Sequence, residues 1–227
     1  MPMKQLPLTI SPLSQPTLDN FVAGGNSAVM DHLRRWPAAM PGVAPPLYLW
    51  GAAGCGKSHL LRGLAARVAA TEGACGWFDA LDAGPWLLQT TWSLVVIDRC
   101  EALSAAAQHA AFVLFTEAQT HGVPLAAAGT LPPADLPMRD DLRTRFAWGH
   151  VFAVQPLSEQ DTCTALFNEA RRRGLELSTE VSNYLMSHFP RDLSSLMALL
   201  AALDAHGLAT QRRVTVPLVR DLIAQTP

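Results

Sequence analysis

Charge is scarce in this chain, and neither sign dominates. Across 227 residues Asp, Glu, Lys and Arg make up 16%, and 17 basic against 19 acidic side chains leave a net charge of −2. Neutralising a nucleic-acid backbone takes clustered Lys and Arg, so this balance excludes a large nucleic-acid footprint. The one short basic run, Arg171-Arg172-Arg173, fits a solvated helix end. Cysteine is sparse as well. Cys55, Cys75, Cys100 and Cys163 stand far apart with no C-x-x-C pair, which excludes the common zinc spacings and a disulfide framework and fits reduced thiols in a cytoplasmic protein. Long apolar runs are missing too. The longest, Leu196–Leu203, falls far short of the roughly 20 residues a membrane helix needs. The N-terminus has no apolar stretch of the signal-peptide type, so the expectation is a cytoplasmic protein without a membrane contact.

What is present is a phosphate-binding loop. Gly51-Ala52-Ala53-Gly54-Cys55-Gly56-Lys57-Ser58 follows the apolar run Leu47-Tyr48-Leu49-Trp50. This is G-x-x-x-x-G-K-[ST] with a strand before it and a helix after it. Glycines let backbone N–H groups turn inward around phosphate oxygens, and the helix N-terminus adds a favourable dipole. Lys57 is expected at the β- and γ-phosphates, and the Ser58 hydroxyl at Mg²⁺. His59, next in line, is grouped with this segment on the helix surface, without a catalytic role.

A second element is Ser93-Leu94-Val95-Val96-Ile97-Asp98, a buried strand ending in a carboxylate that can serve the Mg²⁺ shell. An efficient hydrolase carries a second acid beside such a residue to handle the attacking water. Here Arg99 and Cys100 intervene before Glu101, so weak intrinsic hydrolysis is expected. Glu101 itself reads as a first-turn helix acid before it reads as a base. Thr130, at the end of a small-residue strand, is placed to hydrogen-bond a γ-phosphate or a water. Arg145 and Arg191 read from spacing alone as surface arginines, with Asp141 the i−4 partner of Arg145.

At 49% apolar content the chain can bury a real core in one or two domains. Residues 1–20 hold four prolines and read as an extended tail. Helices are expected over 26–39, 57–71 and 104–119, and strands over 47–50, 75–80, 93–98, 124–128 and 151–154. This alternation implies a parallel sheet covered on both faces. Beyond Gln155-Pro156-Leu157-Ser158 only helices are expected, over 159–173, 179–188, 192–205 and 217–225. Ser158 caps the first with Asp161 as acidic partner, and Pro217 suits the first turn of the last.

Taken together, these residues resemble the DnaA branch of the AAA+ nucleotide-binding family, from about Asp19 onward. Besides the two phosphate-site segments, Asp19-Asn20-Phe21-Val22 with Asn26 is similar to the segment that wraps the base. Gly129-Thr130-Leu131-Pro132-Pro133 is similar to the sensor-1 strand end, although Thr130-Leu131 stands where relatives show an acidic or polar residue and then Arg. Arg143-Thr144-Arg145-Phe146-Ala147-Trp148-Gly149 resembles the box that ends in an arginine finger, and Phe189-Pro190-Arg191-Asp192-Leu193 the start of the sensor-2 helix. The resemblance implies an α/β fold, a three-layer parallel-sheet domain over 19–155 followed by a small all-α lid over 156–227, with a tail over 1–18.

The resemblance also implies function. Phe21, Val22, Asn26, Gly51, Gly54, Cys55, Gly56, Lys57, Ser58, His59, Asp98, Thr130 and Arg191 would bind adenine nucleotide, ADP or ATP, with Mg²⁺ at Ser58 and Asp98. Gln5-Leu6-Pro7-Leu8 resembles a sliding-clamp-binding motif, in which Gln5 bonds at a pocket rim and Leu6 and Leu8 are buried. Two buried leucines offer about 3–6 kcal/mol before ordering costs. The branch includes a regulatory inactivator, so the implied partners are DnaA, whose bound ATP would meet Arg145, and the clamp of DNA polymerase III. A homodimer is a further implied assembly. Direct sequence-specific DNA binding is not expected, since the chain is too short for the helix-turn-helix domain of the initiators. The alternatives are a self-hydrolysing AAA+ remodeller or loader using Glu101, and a P-loop kinase.

Overall fold

The structure, a computed structural model, describes residues 15–37, 44–82, 85–188, 193–210 and 215–224. The chain divides into two compact units, one spanning Pro16–Pro156 and one that takes in Leu157–Pro227. The first is built on five parallel strands, β1 (Leu47–Trp50), β2 (Ala74–Asp79), β3 (Trp92–Asp98), β4 (Leu125–Gly129) and β5 (His150–Ala153). They lie in the order β2-β3-β4-β1-β5. Helices α1 (Ser27–Arg35), α2 (Lys57–Ala69), α3 (Ala105–His121) and α4 (Asp140–Ala147) cover it.

The continuous apolar runs of the central strands follow from burial on both faces. Side chains alternate along a strand. Leu47, Leu49, Leu94, Val96, Ala126 and Ala128 enter one core with Val29 and Leu33 of α1 and Leu60, Leu61 and Leu64 of α2. Tyr48, Val95, Ile97, Leu125 and Ala127 enter the other with Leu114 and Phe115 of α3 and Leu142 and Phe146 of α4. Each strand thereby has its carboxyl end fixed between two packed layers, and ligands of open parallel sheets sit outside those ends.

Two expectations are corrected. The first helix stops at Arg35 instead of 39: Pro37 disfavours the helical conformation for Trp36, which is extended (ψ 138°), and Arg67 of α2 takes the carbonyls left open, Nη1 donating to Leu33 O (2.6 Å) and Arg34 O (3.0 Å), and Nη2 to Trp36 O. Helix α4 was not anticipated. Its signals are Asp140 and Asp141 in the first turn, where carboxylates suit the dipole, and the i, i+4 apolar pair Leu142 and Phe146, both buried.

The second unit holds α5 (Glu159–Arg172), α6 (Thr179–His188), α7 (Leu193–Thr210) and α8 (Val216–Ala224) around Leu166, Val181, Leu185, Leu196, Leu200, Leu203 and Val219. Ser158 caps α5 as expected: its Oγ accepts from Asp161 N–H (3.1 Å) and donates to Asp161 Oδ2 (2.6 Å). Pro217 lies in the first turn of α8. The basic run is not simply a solvated helix end. Arg172 and Arg173 both hold Glu169, at 2.8 and 2.7 Å, and the buried Arg173 reaches the buried Asp204 at 3.8 Å. The Arg172 hydrogen bond, with Arg173 behind it, pulls the Glu169 carboxyl down to about 2.

The His32 ring of α1 packs tilted against that of His150 of β5, with centroids 4.4 Å apart, and lies 4.8 Å from the Phe152 ring. Its Nε2 is buried and without a hydrogen-bond partner among the described residues. Burial, then the His150 and Arg35 charges, lowers its pKa from the ordinary value. The native state therefore resists a proton that the unfolded chain accepts below about pH 6.5. The neutral ring's contribution is complete above that pH and is lost as pH falls toward the lowered native value. The urea midpoint should accordingly drop between pH 7 and pH 5.5, and the drop should shrink in His32→Leu. An equal drop in both proteins would remove His32 as its source.

Candidate nucleotide-binding site

At the carboxyl end of β1 the chain turns through the phosphate-binding loop, with Gly54 and Gly56 at φ 77° and 102°. Gly56 is the N-cap of α2, and its left-handed backbone excludes other residues. A Cβ there would also lie 2.7 Å from Phe21 Cε2, so the Phe21 ring rests directly on the loop. The first hydrogen bond entering α2 runs from Leu60 N–H to Gly56 O (3.0 Å). The amides before it are the unsatisfied donors of a helix start, and they point where an anion binds. Lys57 is buried, with its ammonium donating to Gly51 O (2.7 Å) and Ala52 O (2.8 Å) and lying 3.7 Å from Cys55 Sγ. Ser58 stands in the first turn of α2 beside it.

The strand order puts the end of β4 between the ends of β1 and β3. Thr130 therefore lies between the loop and Asp98. Asp98 is buried at the end of β3, and its Oδ1 accepts from Arg99 N–H (2.9 Å). Arg99 adopts the left-handed conformation, φ 55°, and its guanidinium reaches the β2 end, where Nη2 donates to Asp79 Oδ2 (2.5 Å). Asp79 and Asp98 are register partners. Against burial, which raises it, the Leu81 N–H bond and then the Arg99 guanidinium hold the Asp79 carboxyl below its ordinary range.

Residues 159–223 match the family model of the Hda lid domain. The fold is similar to domain III of the replication initiation protein DnaA from Thermotoga maritima, with a TM-score of 0.77 at 22% identity, covering 93% of this chain and 97% of that one. It is also similar to AMPPCP-bound DnaA from Aquifex aeolicus, with a TM-score of 0.70 at 19% identity, covering 87% of this chain and 68% of that one. The RuvB Holliday junction branch migration motor of Thermotoga maritima is similar as well, with a TM-score of 0.65 at 15% identity, covering 93% of this chain and 72% of that one. The chain has an α/β AAA+ fold, with a lid that matches the Hda lid domain over residues 159–223.

In this fold the residues grouped from the sequence hold the following places. Phe21 packs on Gly56 with its ring 5.5 Å from that of His59, and Val22 is half-buried beside it. Asn26 is buried and spends its amide on the end of β5: Nδ2 donates to Gln155 O (2.9 Å) and Oδ1 accepts from Gln155 N–H (2.7 Å). It fastens the segment before α1 to the chain just after β5. His59 is not a plain surface residue. It is half-buried, with Nε2 at 3.0 Å from Thr17 O and 2.9 Å from Asn20 Oδ1, so it ties that same segment to α2. Both neighbours are acceptors, which assigns the proton to Nε2.

Arg145, on α4, stacks on α3, with its guanidinium 4.6 Å from the Phe112 centroid and 5.5 Å from that of Phe115. The expected partner Asp141 is engaged elsewhere, by Arg139 Nε (3.2 Å) and Nη2 (2.6 Å). Arg145 thus makes no ion pair among the described residues. It borders an open hollow of about 530 Å³ with Thr144, Ala147 and the 71% exposed Trp148. Gln5, Leu6, Leu8 and Arg191 lie outside the described residues. Among the described residues no cluster of three His, Cys, Asp or Glu side chains forms a metal site, and no helix is long and apolar enough to cross a membrane. The Ser58 hydroxyl and the Asp98 carboxylate are hard oxygen donors, the kind suited to a Mg²⁺ ion that keeps several waters.

Proposed function

We propose that this protein is a negative regulator of DNA replication initiation. It binds an adenine nucleotide, ADP in its working state, with Lys57 at the phosphates and Mg²⁺ at Ser58 and Asp98. It docks on the sliding clamp of DNA polymerase III through Gln5, Leu6 and Leu8. There it stimulates hydrolysis of ATP bound to DnaA, in trans, through Arg145.

The observation that carries this reading is a contrast of charges. No acid follows Asp98 directly in sequence: the next residue, Arg99, turns away to pair with Asp79. Arg145 instead sits on an accessible helix and makes no ion pair among the described residues. Arginine is the side chain that stabilises transferring phosphoryl charge. An arginine so placed, in a chain poorly equipped to hydrolyse, suits the nucleotide of another protein. The nucleotide in AMPPCP-bound DnaA of the same fold supports binding at the loop.

The test is hydrolysis of DnaA-bound ATP with ADP, DNA-loaded clamp and this protein. The wild type should accelerate it, and Gln5→Ala combined with Leu6→Ala should raise the amount of protein needed at least tenfold. No acceleration by the wild type, together with ATP turnover by the chain alone, would favour the self-hydrolysing remodeller or loader.

A further inference from the structure

Glu101 is the one acid close after Asp98, and its geometry gives it a specific task. It lies in a single 3-10 turn, Cys100–Ala102, that follows β3. Its Oε2 accepts from the backbone N–H of Thr130 at 3.1 Å, across 29 positions of sequence. The end of β4 passes so close that a Cβ on Gly129 would lie 3.3 Å from this oxygen and 2.2 Å from Tyr48 Oη. Only glycine allows that approach. One residue further, the buried Tyr48 hydroxyl donates to Leu131 O at 3.0 Å. The segment 129–131 is therefore pinned from two sides, its amide by a carboxylate and its carbonyl by a phenol. Thr130 is the residue between those two pins, and it ends the strand that lies between the phosphate loop and Asp98.

We infer that Glu101 is a positioning residue and not a general base. Its carboxylate fixes Thr130 at the phosphate side of the site, and through Thr130 it sets how strongly the site distinguishes ATP from ADP. Glu101 Oε2 is committed to the Thr130 backbone N–H, and a charge-assisted hydrogen bond is strong enough to hold a strand end. This rests on the proposed nucleotide binding, but on neither DnaA nor the clamp.

Two variants separate the roles. Glu101→Gln keeps an amide oxygen that accepts from Thr130 N–H and cannot act as a base. Glu101→Ala removes the tether. The ratio of ATP to ADP dissociation constants, measured on this chain alone, should stay within about twofold of wild type in Glu101→Gln. In Glu101→Ala it should shift about tenfold, the size expected for losing a hydrogen bond to a charged group. Hydrogen exchange at the Thr130 amide without nucleotide should be slow in the wild type and Glu101→Gln and faster in Glu101→Ala. The inference is overturned if both variants abolish ATP turnover equally at an unchanged affinity ratio, the mark of a base, or if Thr130 exchange is insensitive to Glu101→Ala. Failure to stimulate DnaA, with these results otherwise as expected, would sink the regulatory reading and leave the tether standing.

Discussion

Arg145→Ala should abolish stimulation of ATP hydrolysis on DnaA, lowering the rate by about 10³–10⁵-fold, the range in which an arginine finger acts. In that hydrolysis water attacks the γ-phosphorus in line, the bond to the β–γ bridging oxygen breaks, and negative charge spreads over the phosphoryl oxygens. A guanidinium delivered from outside the site meets that charge with two parallel N–H groups. Lys carries the charge without the fork, so Arg145→Lys should recover little of the rate. The fold should tolerate both changes. Among the described residues the Arg145 side chain makes cation–π contacts with Phe112 and Phe115, each worth about 0.5–1 kcal/mol at an exposed site. Binding of ADP to the chain itself should be unchanged. The measurement is single-turnover hydrolysis of labelled ATP preloaded on DnaA, at saturating protein. Stimulation that survives in Arg145→Ala would take the finger role from this residue.

The position of Arg145 also marks the limit of what sequence spacing reveals. An i−4 acid looks like a partner on paper, yet Asp141 is taken by Arg139, which precedes α4 and folds back over its first turn. Competition between two arginines for one carboxylate depends on where the helix begins, and α4 itself was missed. The sheet was easier to read. Apolar runs such as Leu94–Ile97 stand out because both faces are covered, and the phosphate loop is a contiguous motif whose chemistry is local. Asn26 and Glu101 were opaque for the opposite reason. Their hydrogen bonds span 129 and 29 positions, so nothing near them in sequence announces that one closes on β5 and the other on Thr130. His59 is intermediate: its proximity to Ser58 suggested the site, but its bonds run to Thr17 and Asn20. The Arg173–Asp204 pair belongs with the opaque class, since it joins α5 to α7 only once both are packed.

Lys57→Ala should weaken adenine-nucleotide binding by about 10²-fold, since a charged hydrogen-bond donor of this kind contributes about 1.5–3 kcal/mol and each 1.4 kcal/mol is tenfold. In the structure the Lys57 ammonium is already inside the loop, bound to the carbonyls of Gly51 and Ala52 at 2.7 and 2.8 Å. Those two contacts set the direction from which it meets phosphate: the loop carbonyls steer the charge, and the amides of the α2 N-terminus face the same anion. Removing the side chain takes the donor from the buried Gly51 carbonyl and from that of Ala52, so the unliganded variant should melt lower than the wild type, and the ligand's effect is read from each protein's own unliganded baseline. The difference then appears on adding ligand. At ADP one hundred times its wild-type dissociation constant, binding adds about 2.7 kcal/mol to the native state. For a domain of this size that raises the melting temperature by roughly 5–11 °C, and the rise should nearly vanish in Lys57→Ala. A full rise in the variant would place nucleotide away from the loop. Loss of the rise with unimpaired stimulation of DnaA would separate the two halves of the proposed function, making the bound nucleotide dispensable for the work of Arg145.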